Sequence, residues 1–71
     1  MITKLLLEGA LKIVSIRKDS NKTKRVAQVY SPREAAPELI LKETEPNMFK
    51  DMVNGILFKL TNEGMVKVAE T

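Results

Sequence analysis

Asn47-Met48-Phe49-Lys50-Asp51-Met52-Val53-Asn54-Gly55-Ile56-Leu57-Phe58-Lys59-Leu60-Thr61-Asn62 is the stretch whose reading decides the fold. Met48, Phe49, Met52, Val53, Ile56, Leu57 and Leu60 recur at helical spacing, the clearest periodic signal in the chain. The spacing predicts one amphipathic helix over 47–62. Pro46 suits a first helical turn and Asn47 is a good cap, while Glu43 and Glu45 just upstream complement a positive helix end. Asn62-Glu63-Gly64 supplies the stop, because glycine takes the left-handed conformation that ends helices.

On either side the pattern changes to that of strands. Met65 to Ala69 alternates around Val66 and Val68, and a strand this short suits a sheet edge or addition to a neighbour's sheet. The spacing of residues 2–7 leaves helix and strand open, Ile2, Leu5, Leu6 and Ala10 suiting the first and Leu5, Leu7 and Leu11 the second. Gly9, unfavourable inside a helix, favours an extended segment with an irregularity at Glu8-Gly9. Leu11 to Arg17 is a strand with an unusual distribution. Leu11 and Ile13 fall on one face and Val14 and Ile16 on the other, which implies burial on both faces or a bulge. Lys18 to Lys24 has no apolar residue and forms a hairpin tip. Arg25 to Ser31 resumes as a strand that Pro32 closes. Arg33 to Ala36 has room for one helical turn, and Leu39-Ile40-Leu41 is a further short strand. The expected fold is therefore α+β, a small, mainly antiparallel sheet of three or four strands with the 47–62 helix packed on one face.

Seventy-one residues make a single domain, 1–71, near the lower end of what folds alone. Such chains often need a staple. The chain has no Cys, which excludes a disulfide, and no His, so a structural zinc site has no ligands of the usual kind. Self-association is the remaining device. The first twelve residues are apolar in patches but interrupted by Lys4, Glu8 and Lys12, unlike a secretory signal, and no run reaches membrane-spanning length. A cytoplasmic protein without a membrane anchor is expected. Net charge is +3, unevenly spread. Residues 1–33 hold eight Lys and Arg against Glu8 and Asp19, whereas residues 34–71 hold four Lys against seven acids. That asymmetry suits a polyanion-binding face, complementary patches in an oligomer, or simply a solvated surface.

Little in the sequence speaks for catalysis. The usual neutral-pH proton shuttle and the strongest side-chain nucleophile are both missing. The glycines, Gly9, Gly55 and Gly64, make no phosphate loop. Glu43, Glu45 and Asp51 could hold a hard cation through oxygens, although a solvated helix entrance is the commoner meaning of such a group. No cofactor, metal or small-molecule substrate is expected.

Two features suggest binding. Arg17, Lys18, Lys22, Lys24 and Arg25 concentrate positive charge on the hairpin at 17–25, and a two-stranded ribbon can lie along a phosphate backbone. Tyr30 is the only aromatic residue near it, too few for base stacking, and lysine-rich turns are also simply soluble. On the expected helix, Phe58 falls on the polar side beside Asn54. There it is an isolated exposed hydrophobe, a residue packed under the N-terminal segment, or an interface anchor. Met48, Met52 and Met65 offer an adaptable surface, but helical spacing makes two of them ordinary core residues. The leading expectation is a non-enzymatic binding and assembly protein that forms a homo-oligomer through Phe58, Asn54, Met65, Val66 and Val68. The alternative is a nucleic-acid-binding protein that contacts phosphates through the hairpin at 17–25.

Overall fold

The computed structural model describes residues 1–20 and 23–70. Seven strands follow one another: β1 (Ile2–Leu7), β2 (Ala10–Lys18), β3 (Arg25–Tyr30), β4 (Leu39–Glu45), β5 (Met48–Asp51), β6 (Ile56–Thr61) and β7 (Gly64–Glu70). Each pairs with the next, and β7 returns to β1, so the sheet closes into a barrel. The six sequential pairs are antiparallel. In a meander of seven strands the first and last run the same way, so the closing pair is parallel, in register at Leu5 and Met65.

The α+β expectation is corrected: the fold is all-β, and the described residues contain no helix. The 47–62 stretch is the hairpin of β5 and β6, with Phe49 directly opposite Phe58. Met52 and Val53, which completed the helical stripe, lie exposed in the turn, Val53 at 90%. Asp51 holds that turn. Its Oδ1 accepts from the Val53 amide at 3.0 Å and its Oδ2 from Asn54 Nδ2 at 2.8 Å, and the Gly55 amide donates to its carbonyl at 2.8 Å. Gly55 takes φ 73, and Asn-Gly is a strong hairpin dipeptide. Pro46-Asn47 is likewise a turn between strands rather than a helix start, with Asn47 at φ 64. Asn62 and Glu63 form the next turn, where the Thr61 hydroxyl donates to the Gly64 carbonyl at 2.8 Å.

Other expectations fare differently. Residues 2–7 are extended, and Glu8 and Gly9 both take positive φ (52 and 78) in a two-residue hairpin turn. The strands on either side of the basic tip form as expected. Arg33 to Ala36 makes turns and bends instead of a helical turn. The last strand is not an edge, because β6 and β1 flank it on both sides. Gly64 permits that seam. With φ 133, it brings the backbone so near β1 that a Cβ would lie 2.6 Å from the Lys4 carbonyl oxygen.

The core is the barrel lumen. Leu5, Val14, Ile16, Ala27, Val29, Leu41, Phe49, Phe58 and Met65 fill it, with Leu7, Leu39, Ile56 and Leu60 packed against them. In a strand, side chains alternate between the two faces, so the residues between these point outward. That alternation positions everything that follows.

Candidate functional site

Starting from the lumen residues, β1 sends Leu5 inward and Leu6 outward, and β2 sends Val14 and Ile16 inward and Leu11 and Ile13 outward. The double-faced apolar pattern of β2 therefore reflects a regular strand with an uncovered outer face, not a bulge. The pairing with β1 and with β3 runs without a register shift. Leu6 stands directly opposite Leu11, and Ile13 opposite Tyr30. Leu6 is 67% exposed, Leu11 55% and Ile13 40%. Through the closing pair, Val66 of β7 joins them, and Lys4, Leu6, Leu11, Glu63 and Val66 line a concavity of about 360 Å³ over the seam. Lys4 and Glu63 edge this apolar wall, and neither has an ion-pair partner among the described residues.

The wall of β4, β5 and β6 has a different chemistry. Lys42 on β4 faces Lys50 on β5 directly, and Lys59 on β6 stands diagonal to Lys50, two residues beyond its partner Leu57. Arg17 on β2 lies in the same cross-strand row as Lys42, with Val26 between them. Like charges placed directly opposite destabilise a sheet. None of these four cations has an acidic partner among the described residues. Most acids lie elsewhere: Glu8, Asp19, Glu34, Glu38 and Glu63 in turns and loops, Glu43 and Asp51 facing inward, and Glu70 at the end of β7. Glu45, exposed at the end of β4, stands on this wall opposite Met48, in the row that runs on to Lys59.

At one mouth of the barrel, Arg25 and Glu43 form a fork. Arg25 Nη2 donates to Glu43 Oε2 at 2.8 Å and Nε to Oε1 at 3.2 Å, while the amides of Arg25 and Asn47 each donate to the carboxylate at 3.0 Å. The Arg25 guanidinium also lies 5.5 Å from the Phe49 ring centroid. These bonds, Arg25 foremost, outweigh the desolvation that opposes them and hold the Glu43 carboxyl down at about 2. The same pairing raises Arg25 above its ordinary value. At the other mouth, Lys12 pairs with Glu38 at 2.7 Å, and the Ser31 hydroxyl donates to the same carboxylate at 2.9 Å. Lys12 first, then Ser31, lowers the Glu38 carboxyl. This mouth opens into a concavity of about 630 Å³ lined by Leu7, Lys12, Glu38, Asn54 and Ile56 among others.

The sequence-derived sites are partly dispersed by this arrangement. Phe58 is fully buried in the lumen and Met65 nearly so, which removes both from any outer contact surface. Asn54 lies in the β5–β6 turn, bonded to Asp51. Val66 and Val68 are about half exposed on β7, Val66 on the apolar wall. In the hairpin at 17–25, Arg25 is held by Glu43, and Lys24 Nζ donates to the Thr44 carbonyl. Arg17 and Lys18 are exposed, and Lys22 lies outside the described residues. Glu43, Glu45 and Asp51 do not converge on a cation, since Glu43 serves Arg25 and Asp51 serves its own turn.

Sequence reasoning missed Leu6, Leu11, Lys42, Lys50 and Lys59. The signal for the first two was present in the two-faced pattern of 11–17. The three lysines needed the β4–β5–β6 pairing, which the helix reading concealed. No helix among the described residues is long and apolar enough to cross a membrane. Comparison of the chain with protein-family models, with curated proteins and with solved structures returns no match.

Proposed function

We propose that this protein is a small, non-enzymatic binding and assembly protein that self-associates through the outer wall of β7, β1 and β2. The observation that carries the reading is the pairing of Leu6 with Leu11, both more than half exposed, beside Ile13 and Val66. Contiguous exposed apolar surface is uncommon on a monomer and marks contact sites. A second copy is the occupant favoured here because the patch is self-complementary. A two-fold contact places the same surface on both sides, so Lys4 of one copy can meet Glu63 of the other over a shared apolar centre.

A cytoplasmic setting belongs to the same proposal, motivated by the charges at Lys4, Glu8 and Lys12 that break up the first apolar run; fractionation of cells expressing the tagged chain tests it. Light scattering at low and high ionic strength tests self-association. The expected mass is a multiple of the 8.0 kDa chain, insensitive to salt because the contact is mainly apolar. Leu6→Lys/Leu11→Glu, which leaves a favourable cross-strand pair on the monomer, should give single-chain mass with the circular dichroism spectrum unchanged. A wild-type monomer at hundreds of micromolar would refute the proposal.

A further inference from the structure

From the wall of β4, β5 and β6 together with the end of β2, we infer that Arg17, Lys42, Lys50 and Lys59 form a docking band for the sugar-phosphate backbone of a nucleic acid. The first ground is charge density. The outward positions of β4, β5 and β6 carry Lys42, Lys50 and Lys59 against a single acid, Glu45 at the end of β4, which stands opposite Met48 and forms no ion pair with any of them among the described residues. The second is the cost of the arrangement. Lys42 and Lys50 are direct cross-strand partners, and that repulsion persists with no acid paired to either residue among the described residues. An anionic partner would relieve it.

Spacing selects the kind of anion. Adjacent strands lie about 4.8 Å apart, so Arg17 and Lys42, two strands removed, are about 10 Å apart. The diagonal from Lys50 to Lys59 is about 7–8 Å. The wall is the outside of a barrel, so the side chains diverge from one another. One phosphate group or one lipid headgroup cannot meet all four cations, whereas a continuous polymer of phosphates can. An anionic membrane fits less well, because Ile40 is the one large exposed hydrophobe on β4, β5 and β6, whereas the most exposed apolar residues of the strands, Ile2 and Leu6, are on β1. Phe49 and Phe58 are buried, and Tyr30, the outward aromatic residue on β3, is paired with Ile13, four residues along the strand from the Val26 that lies between Arg17 and Lys42. The contact is therefore to backbone and indifferent to base sequence.

This site is distinct from the basic hairpin, whose Arg25 and Lys24 are engaged within the fold. It adjoins the apolar wall, since Lys59 pairs with Val66 and Arg17 shares β2 with Leu11 and Ile13, but it rests on different side chains and a different chemistry.

The test is fluorescence anisotropy of a labelled mixed-sequence 20-nucleotide strand, and of its duplex, titrated with the full chain. Four phosphate contacts predict that affinity falls roughly 50- to 150-fold between 50 and 200 mM salt. Lys42→Gln/Lys50→Gln/Lys59→Gln should lose at least tenfold in affinity at 50 mM salt and flatten the salt slope by about 2–3. Lys18→Gln/Lys24→Gln should bind within about threefold of wild type. Inorganic phosphate should compete no better than sodium chloride of equal ionic strength. The inference is overturned by no binding at 50 mM salt, by an unaffected triple variant that retains its fold, or by loss of binding in the hairpin variant instead. Capture by phosphatidylserine vesicles without capture by oligonucleotide would also overturn it. Light scattering on the same samples reads self-association separately, so either proposal can fail alone.

Discussion

On β1 and β2 the residues that alternate with the core are Leu6, Leu11 and Ile13; on β4, β5 and β6 they include Lys42, Lys50 and Lys59. Both walls obey the same two-residue alternation, and both have a filled lumen behind them. They differ in what the outer face leaves unbalanced. One wall leaves apolar surface in water, and the other leaves an excess of positive charge, three lysines against Glu45. The interior is balanced by comparison, since no buried side-chain polar atom among the described residues lacks a hydrogen bond. The lesson is that a barrel this small fixes its fold from inside and is free to place its unmet needs outside, where partners can meet them.

The largest effect should come from breaking the seam that joins the apolar wall to itself. Gly64→Ala places a Cβ 2.6 Å from the Lys4 carbonyl oxygen in a backbone conformation side chains rarely adopt. A loss of about 3 kcal/mol is expected, which for a domain of this size lowers Tm by roughly 15–20 °C. A Tm within a few degrees of wild type would show that β1 and β7 are not closely joined. On the other side of the barrel, Glu43→Gln removes the charge from the Arg25 fork and should cost about 2–3 kcal/mol. Glu43 has a folded value of about 2, below its unfolded value of about 4.3. Its contribution is therefore fully present above the unfolded value and disappears as the pH falls towards 2. Urea titrations between pH 6 and pH 2 should show the wild type converging on the variant, and parallel curves would contradict this account of the pair.

Smaller effects sharpen the contrast between the walls. Leu6→Lys/Leu11→Glu should leave monomer stability within about 0.5 kcal/mol, as surface changes generally do, while abolishing association. Lys50→Glu should raise stability by a few tenths of a kcal/mol, because it turns a repulsive cross-strand pair into an attractive one. The same change should abolish oligonucleotide binding. A variant that is more stable yet no longer binds would identify the repulsion as functional rather than incidental.

Much of the strand structure was legible in the sequence. Turn residues and alternation located β2, β3 and the start of β4, while for residues 2–7, whose spacing suits a helix or a strand, Gly9 tipped the balance towards an extended segment. A helical turn at 33–36 did not form, but the failure that changed the fold was at 47–62. Two short strands joined by a four-residue turn place apolar residues at 48–49, 52–53 and 56–57, which imitates a helical stripe although Met52 and Val53 never touch the core. Asn54-Gly55 was the signal that distinguishes the cases, since a left-handed glycine after asparagine favours a hairpin over a helix interior. That one misreading had consequences for the site. Phe58, placed on a polar helix face, is buried opposite Phe49, and the lysines at 42, 50 and 59 acquire a common wall only once the strands are paired. Barrel closure itself was not legible, because it depends on Gly64 meeting β1 nearly sixty residues earlier in the chain.

The absence of cysteine allows the apolar wall to be tested directly by disulfide trapping. Single Leu6→Cys, Leu11→Cys and Lys50→Cys variants, oxidised at micromolar concentration, would be separated on a non-reducing gel. A two-fold contact centred on β1 and β2 brings each position near its own copy, so covalent dimer should form from Leu6→Cys or Leu11→Cys and not from Lys50→Cys. Monomer from both leucine positions, or dimer from Lys50→Cys alone, would contradict self-association through this wall.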